Sequence, residues 1–264
     1  VFEGAELAVS AVPTQFMRRV WRRLAEHCPA GLDVCSVAKG IENGTLLRPT
    51  QILADVLGRG RRVAALSGPC IAPEVARHLP ATVVAASDDE PFAADLQVLF
   101  TRPYFRVYTN PDLVGVEAAG ATKNVIAIAA GILDGMDAGC NAKAALLTRG
   151  LVEITRLGVA LGARAETFSG LAGMGDLMTT CISPIGRNRS FGEAVGGGRS
   201  VAQALGATES VVEGVATTES VVALAGEFGV EMPITEAVHG VLFAGRAPAE
   251  AIEQLMSRPL KRES

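Results

Sequence analysis

The chain reads GVEAAGATKNV from Gly115 to Val125 and continues directly into the apolar stretch IAIAAGIL, residues 126–133. This pattern predicts one long helix over Leu113–Met136. Small residues, which allow another element to approach closely, share one helical face with a lysine: Val116, Ala119, Gly120, Lys123 and Ala127. A cation on such a face needs a partner, a ligand or water. Lys123 is therefore either a functional group or, in the simpler interpretation, a side chain that reaches out to solvent.

The chain after Asn110 predicts helices only. Besides the Lys123 helix, helical periods cover Asn141–Leu161, Thr217–Phe228, Ile234–Phe243 and Ala247–Met256. Glycine-rich joints separate them. We interpret Gly170–Gly175 as a tight turn between helices and not as a phosphate-binding loop, because it does not follow a strand. Residues 111–264 are therefore expected to be all-α.

The chain before Asn110 alternates strands and helices. The predicted strands are Glu6–Val12, Asp33–Ala38, Arg62–Ser67, Ala81–Ala86 and Phe105–Thr109. Helices are predicted between them at Phe16–Glu26, Leu46–Leu57, Ala72–Arg77 and Pro91–Phe100. Apolar, β-branched strands that alternate with helices predict a parallel sheet covered on both faces. We therefore predict an α/β part over residues 1–110, with a boundary near Asn110.

Composition argues against several functional classes. A net charge of −4 over 264 residues offers no large positive field for nucleic acid. The five cysteines form no CxxC pair, and no two histidines have metal-ligand spacing, so we expect a reducing compartment and no metal site. No apolar run reaches about 18 residues, so we expect no transmembrane span. The chain begins with Val1 and not Met, which suggests a segment of a longer protein.

Three loops follow successive predicted strands: Ala11–Thr14, Ala38–Glu42 and Ser67–Cys70. Ligands bind beyond the carboxyl ends of parallel strands, so the ammonium of Lys39 can reach such a crevice. A surface lysine is the equally acceptable alternative. Gly68 and Pro69 predict a tight turn, which could also present a helix N-terminus to an anion. A GxGxxG fingerprint after a first strand is absent.

Two polar clusters stand out in the helical part. Asp176 and Thr180 are four residues apart and share a face if the segment is helical, although Asp176 could simply be an N-cap after glycine. Arg187 and Asn188 follow a turn at Pro184–Gly186, and an arginine offers a forked set of donors that suits a phosphate. The alternative for this pair is a solvated loop.

The motifs occur in an order that resembles a known family. They are AVP (11–13), KGIE (39–42), SGP (67–69), KNVIAIAAGI (123–132), GLAGMGDL (170–177), RNRSFG (187–192), VEG (212–214) and MPITEAV (232–238). This set resembles the bacterial-type NAD(P)-dependent glycerol-3-phosphate dehydrogenases from residue 6 onward. The resemblance implies a partial Rossmann-like cofactor domain over 1–110 and a helical substrate-binding domain over 111–264. Members of the family carry a further N-terminal stretch with the glycine fingerprint, of roughly seventy residues.

The resemblance also implies a reaction and its residues. Glycerone phosphate and sn-glycerol 3-phosphate are interconverted with NADH or NADPH, feeding glycerophospholipid synthesis, in a cytoplasmic homodimer. The implied catalytic residues are Lys123, Lys39, Asp176, Asn124 and Thr180. The implied substrate contacts are Lys39, Gly68, Cys70, Lys123, Asp176, Gly186, Arg187 and Asn188. The implied cofactor contacts are Lys39, Ala72, Arg187, Val211 and Glu213.

A lysine suits the implied chemistry because carbonyl reduction needs a proton on oxygen. Burial and the second ammonium of Lys39 should lower the pKa of Lys123, whereas Asp176 should oppose that shift. Three residues depart from the family pattern: Cys70 and Gly186 replace hydroxyl residues, and Ile71 replaces an aromatic residue. They bear on substrate affinity.

Two alternative functions remain open at this stage. One is a related two-domain reductase of another small hydroxy or keto acid, which the Arg187–Asn188 pair disfavours. The other is an inactive binding fragment of the same fold. The retained Lys39, Lys123 and Asp176 disfavour it for the parent protein, whereas the missing first strands favour inactivity of this segment by itself.

Overall fold

Five strands in the first part of the chain form one sheet in chain order. The computed structural model describes residues 2–58, 60–208, 210–260 and 262; Val1, which suggested a longer protein, lies outside these residues. The strands are β1 (Leu7–Ser10), β2 (Asp33–Ser36), β3 (Val63–Ser67), β4 (Ala81–Ala86) and β5 (Phe105–Asn110). The connecting helices are α1 (Thr14–Ala25), α2 (Pro49–Leu57), α3 (Ala72–Ala76) and α4 (Glu90–Phe100).

The predicted parallel alternation holds for β1–β2, β2–β3 and β4–β5, but β3 and β4 are antiparallel. A parallel pair needs a crossover of about a dozen or more residues, usually built around a full helix. Between Ser67 and Ala81 the only helix is the short α3. The chain therefore turns back beside β3, and the carboxyl ends of β1, β2 and β3 alone share one edge.

Helices make up the second part, and no strand follows Asn110 among the described residues. The helices are α5 (Leu113–Gly135), α6 (Gly139–Ala160), α7 (Ala165–Ser169), α8 (Asp176–Ile182), α9 (Arg187–Gly196), α10 (Val201–Gly206), α11 (Glu213–Phe228), α12 (Pro233–Phe243) and α13 (Pro248–Met256). The predicted long helices are all present. The four short helices α7 to α10 were not predicted, because their sequences carry little apolar periodicity.

The glycine-rich stretch predicted as a turn is instead a turn of π-helix, Leu171–Gly175, that runs directly into α8. The N–H of Gly175 donates to the Gly170 carbonyl at 3.1 Å. A Cβ on Gly173 would lie 2.1 Å from the Phe168 carbonyl oxygen, so only glycine fits this approach. π-Helical turns often occur at functional sites, and this one carries Asp176 at its end.

The central element is α5, which is buried at every residue from 115 to 132. It packs against α6, α8, α9 and α11, and it also contacts β3. Among the described residues it is the one helix long and apolar enough to cross a membrane, but a buried core helix meets the same test. Lys123 is only 5% exposed, so the interpretation that it reaches out to solvent is wrong.

Close packing of α5 against α9 depends on four glycines, two on each helix. A Cβ on Gly131 would lie 1.9 Å from the Arg189 carbonyl oxygen, and one on Gly135 would lie 2.2 Å from that of Glu193. Reciprocally, Gly192 and Gly196 would each place a Cβ within about 2 Å of carbonyl oxygens on α5. Because the obstructing atoms are backbone, the helices would have to separate to admit any side chain.

We predict that Gly131→Ala lowers the free energy of unfolding by about 1–3 kcal/mol, because the helices must separate. The matched control is Gly226→Ala on α11, where a Cβ meets nothing within 4 Å. There the greater helix propensity of alanine should raise the free energy of unfolding by about 0.5–1 kcal/mol. Urea denaturation measures both, and equal effects at the two positions would contradict the packing argument.

Glu153 stabilises the start of α12 from inside the helical part. Its buried carboxylate accepts hydrogen bonds from the backbone N–H of Ile234 at 2.8 Å and of Thr235 at 3.3 Å. Burial raises the pKa of Glu153 from 4.5 to about 7. The folded protein therefore binds a proton here at pH values where the unfolded chain does not.

Stability should consequently fall as the pH rises from about 4.5 to about 7, because the charged form is disfavoured only in the folded state. We predict that Glu153→Gln removes most of this loss, on the order of 3 kcal/mol, since the amide cannot ionise. Denaturation at several pH values tests this, with Glu227→Gln on the exposed surface of α11 as control. The account fails if the two variants show the same pH dependence.

Candidate active site

One carboxylate joins two lysines from different parts of the chain. Asp176 Oδ2 accepts a hydrogen bond from Lys39 Nζ at 2.6 Å, and its Oδ1 lies 3.1 Å from Lys123 Nζ. Asp176 is 2% exposed and Lys123 is 5% exposed, so these are buried charges. Buried charges of this kind are costly unless they are paired, and Asp176 pairs both ammonium groups at once.

Each member comes from an element that the sequence had indicated. Lys39 follows β2 at the edge where three strands end, and Lys123 lies on the small-residue face of α5. A Cβ on Gly120 would lie 3.0 Å from Ser67 Oγ and 3.5 Å from the Lys39 side chain. This face of α5 therefore packs directly against the end of β3 and against Lys39.

Asp176 is the first residue of α8, and Thr180 is one turn later on the same face, as predicted. The Thr180 hydroxyl lies 3.4 Å from Asp176 Oδ1 and also accepts a hydrogen bond from Lys123 Nζ. The N-cap position is occupied by Gly175, and the carboxylate of Asp176 makes no capping bond. The alternative interpretation of Asp176 as an N-cap is therefore wrong.

Opposite pKa shifts separate the two lysines. Burial, reinforced by the nearby Lys39 ammonium, lowers the pKa of Lys123 although Asp176 opposes the shift. Burial also works against the charge on Lys39, but Asp176 outweighs it and the pKa of Lys39 is raised. Burial alone would raise the pKa of Asp176, yet the two ammonium groups hold it below the ordinary value. At neutral pH, Lys123 is the member of the cluster that releases its proton most readily.

Two asparagines connect the cluster to the neighbouring helices. The amide of Asn124 donates to the Lys39 carbonyl at 2.9 Å, and Asn188 donates to Asn124 Oδ1 at 2.9 Å. The N–H of Gly214 in turn donates to Asn188 Oδ1 at 3.0 Å. Both asparagines are buried, so this relay fixes the backbone of Lys39 against α5, α9 and α11. Asn188 therefore has a structural role, through its bonds to Asn124 and Gly214, in addition to the substrate contact that the family resemblance implies.

The edge of the sheet adjoins this cluster and carries two hydroxyls that sequence reasoning had not singled out. Thr14 Oγ1 and Ser67 Oγ are buried without a hydrogen-bond partner in the described part of the chain. Thr14 follows β1 and Ser67 ends β3. This placement at the ends of strands was the sequence signal by which the two hydroxyls could have been found. Buried polar atoms normally have partners, so these two suit a polar ligand in the crevice.

Comparisons with known proteins agree with the motifs. Residues 112–253 match the family model described as NAD-dependent glycerol-3-phosphate dehydrogenase C-terminus, and residues 1–93 match the corresponding N-terminus model. A glycerol-3-phosphate dehydrogenase, NAD(P)+, of Thermobifida fusca (strain YX) is 51% identical over 261 residues, covering 98% of this chain and 78% of that protein. A protein of the same description from Salinibacter ruber is 51% identical over 262 residues, covering 98% of this chain and 76% of that protein.

The chain belongs to the NAD-dependent glycerol-3-phosphate dehydrogenase family. The crystal structure of glycerol-3-phosphate dehydrogenase (gpsA) from Coxiella burnetii is similar throughout, with a TM-score of 0.93 at 40% identity. The similarity covers 97% of this chain and 78% of that one.

The other residues that the family resemblance implied as substrate or cofactor contacts lie around the cluster of Lys39, Asp176 and Lys123, some in contact with it and some farther away. Gly68 accepts a hydrogen bond from Lys39 Nζ at 3.0 Å, and Cys70 Sγ lies 3.9 Å from the same atom. Gly68 has a φ of +128°, and a Cβ there would lie 3.0 Å from Val83 Cα, so the turn requires glycine. Ala72 is exposed at the start of α3.

The expected phosphate pair begins a helix, so its interpretation as a loop is wrong. Arg187 is the first residue of α9; it is exposed and donates to the Val211 carbonyl at 3.2 Å. Gly186 packs against the end of α8, where a Cβ would lie 3.1 Å from the Thr180 carbonyl oxygen. Glu213 accepts a hydrogen bond from the Thr14 N–H at 3.2 Å, and burial raises its pKa.

These features define a cationic crevice between the sheet edge and the helices. It offers an ammonium with a lowered pKa, a second ammonium that stays charged, and two hydroxyls, of Thr14 and Ser67, without a hydrogen-bond partner among the described residues. Proton transfer to a polarised oxygen, supported by fixed charge, is the chemistry that these ammonium groups suit. Among the described residues, no group of histidine, cysteine and acidic side chains could hold a metal ion.

Proposed function

We propose that the protein interconverts glycerone phosphate and sn-glycerol 3-phosphate, using NADH or NADPH, with Lys123 as the proton donor and acceptor. The observation that carries this proposal is the buried Lys123, whose pKa is lowered beside Asp176, Thr180 and Lys39. A general acid is most effective when its pKa lies near the working pH. Family membership supports the substrate and cofactor classes.

In the reductive direction, Lys123 gives its proton to the carbonyl oxygen. When bound, the nicotinamide supplies the hydride for the carbonyl carbon. The C=O π bond is lost, new C–H and O–H bonds form, and Lys123 is left as a neutral amine. In the oxidative direction the neutral amine takes the hydroxyl proton, so each direction needs a different form of the same side chain.

Lys39 supplies a charge that does not titrate in this range. Because its pKa is raised, it stays an ammonium while Lys123 changes state. It can then stabilise negative charge that develops on the substrate oxygen, as oxyanion-stabilising donors do. Asp176 keeps both lysines oriented and balances part of their charge.

The substrate phosphate is proposed to bind at the start of α9. Arg187 offers a forked donor set there, Asn188 an amide, and the first-turn N–H groups of the helix favour an anion. This contact lies away from the reacting carbon, so its binding energy serves to orient the substrate. Cys70 and Gly186, which lack the usual hydroxyls, leave more of this task to Arg187.

Residues 1–110 are proposed to contribute the cofactor side of the crevice and residues 111–264 the substrate side. The residues that would hold the dinucleotide are Lys39, Ala72, Arg187, Val211 and Glu213. The Thr14 hydroxyl has no hydrogen-bond partner among the described residues, and the backbone N–H of the same residue donates to Glu213. A polar ligand would satisfy that hydroxyl, which supports this assignment. We further propose a cytoplasmic homodimer that feeds glycerophospholipid synthesis, and light scattering tests the dimer.

We predict that Lys123→Ala lowers kcat by about 10²- to 10⁴-fold, the usual contribution of a general acid, with cofactor affinity nearly unchanged. Lys123→Arg should not restore activity, because a guanidinium keeps its proton. The measurement is nicotinamide absorbance with glycerone phosphate, together with cofactor titration. Lys143→Ala is the matched control, since Lys143 pairs with Asp134 outside the crevice. Near-normal turnover of Lys123→Ala would remove Lys123 from this role.

The pH profile tests Asp176 separately. Asp176 raises the pKa of Lys123, so Asp176→Asn should lower that pKa further. Reduction needs the ammonium and falls as the pH rises through the pKa of Lys123, so its midpoint should move down by about 1–3 pH units. The rate of oxidation needs the neutral amine and rises through the same pKa, so the midpoint of its pH profile should also move to lower pH. Profiles that fall in amplitude without moving would show that Asp176 does not set this pKa.

A further inference from the structure

A separate, partly open apolar cavity of about 560 Å³ lies at the other end of α5, lined by α5, α6, α12, α13 and residues that follow α13. The α5 residues that line it begin at Ala129, six positions after Lys123, or about 9 Å along the helix axis. Its volume falls within the range of small-molecule sites, about 300–1,000 Å³. The walls are aliphatic, with Ile132, Ile234, Val238 and Val241 among them.

Among the described residues, four arginines and two glutamates line this cavity, and one arginine, Arg258, pairs with Glu231 at 3.3 Å. Arg149 and Arg156 both line it from α6, and neither makes an ion pair within the described residues. Glu153 lies between them at helical spacing and could have paired with either. Its carboxylate instead accepts the backbone N–H groups of Ile234 and Thr235. The two guanidinium groups are therefore available to an anion from outside.

The lining also excludes several kinds of ligand. Among the described residues that line it, no aromatic side chain is present on which a nucleotide base could stack. A sugar phosphate would leave the aliphatic walls without contacts. A ligand with a long aliphatic chain and one anionic end fits both the aliphatic walls and the arginines. Its chain removes apolar surface from water, and its anionic head binds the forked donors of arginine.

We propose that this cavity binds a free long-chain fatty carboxylate, with its chain between α5, α6 and α12 and its head at Arg149 and Arg156. The ligand is distinct from the substrate of the crevice, so this proposal does not depend on the proposed reaction. Charge complementarity between the arginines and a carboxylate selects this occupant over a neutral or cationic lipid.

The test is calorimetric titration of the protein with octanoate, decanoate and dodecanoate, each below its micelle concentration. Affinity should rise by about two- to fourfold for each added methylene, as expected for burial of the chain. Dodecyltrimethylammonium, with an equal chain and the opposite charge, should bind at least about tenfold more weakly. Affinity that does not depend on chain length or on the sign of the head charge would overturn the proposal.

Variants then locate the site. The double change Arg149→Gln with Arg156→Gln should weaken dodecanoate binding by about tenfold or more. Arg23→Gln, at an exposed position of α1 away from the cavity, should not. Ala142→Leu, which projects into the cavity, should weaken the longer acids most. Circular dichroism and light scattering accompany each variant. Unchanged dodecanoate binding in these variants would contradict the proposal. If light scattering shows that Ala142→Leu turns a dimer into a monomer, a second copy of the chain covers the cavity, and this too would contradict the proposal.

Discussion

The ion triad of Lys39, Asp176 and Lys123 is the constraint on which the rest of the structure depends. It places two positive charges and one negative charge where little water reaches them. Removing one ion from water costs several kcal/mol, so the arrangement is tolerable only with close, fixed pairing. Burial, with the Lys39 ammonium adding to it, disfavours the charged form of Lys123 although Asp176 opposes this, so the pKa of Lys123 is lowered and its proton is available. The burial that makes the Lys123 ammonium costly for the folded protein is therefore also what makes Lys123 a better proton donor.

The architecture holds three separate segments at hydrogen-bonding distance. Gly120 on α5 packs against Ser67 and Lys39, and the paired glycines of α5 and α9 bring α9 close to α5. The π-helical turn before α8 presents Asp176 at the end of that helix. Buried asparagines then fix the Lys39 backbone to the helical part. The geometry of the triad is thus determined by backbone packing, which side-chain substitution at the site alone would not rebuild.

Sequence patterns predicted the elements that carry strong periodicity, and missed features that depend on packing. The α5 pattern, the strand–helix alternation and the spacing of Asp176 and Thr180 were sufficient to predict their structures. The reversal of β4 depends on a short connection that no local pattern reveals. Opposite pKa shifts of Lys39 and Lys123 depend on which lysine lies nearer to Asp176 and how deeply each is buried. The asparagine relay and the Glu153 cap join residues distant in sequence, so local spacing could not indicate them.

A direct titration of the two lysines tests the central claim, that burial lowers the pKa of Lys123 despite Asp176, whereas Asp176 outweighs burial and raises the pKa of Lys39. Lysine side chains labelled with ¹³C at Cε report their charge by NMR, and Lys123→Arg assigns the signal of Lys123. The account predicts that Lys123 titrates below 10.5 and Lys39 above it. A titration of Lys123 at or above 10.5 would contradict the account, because the buried ammonium would then be held too firmly to act as a proton donor.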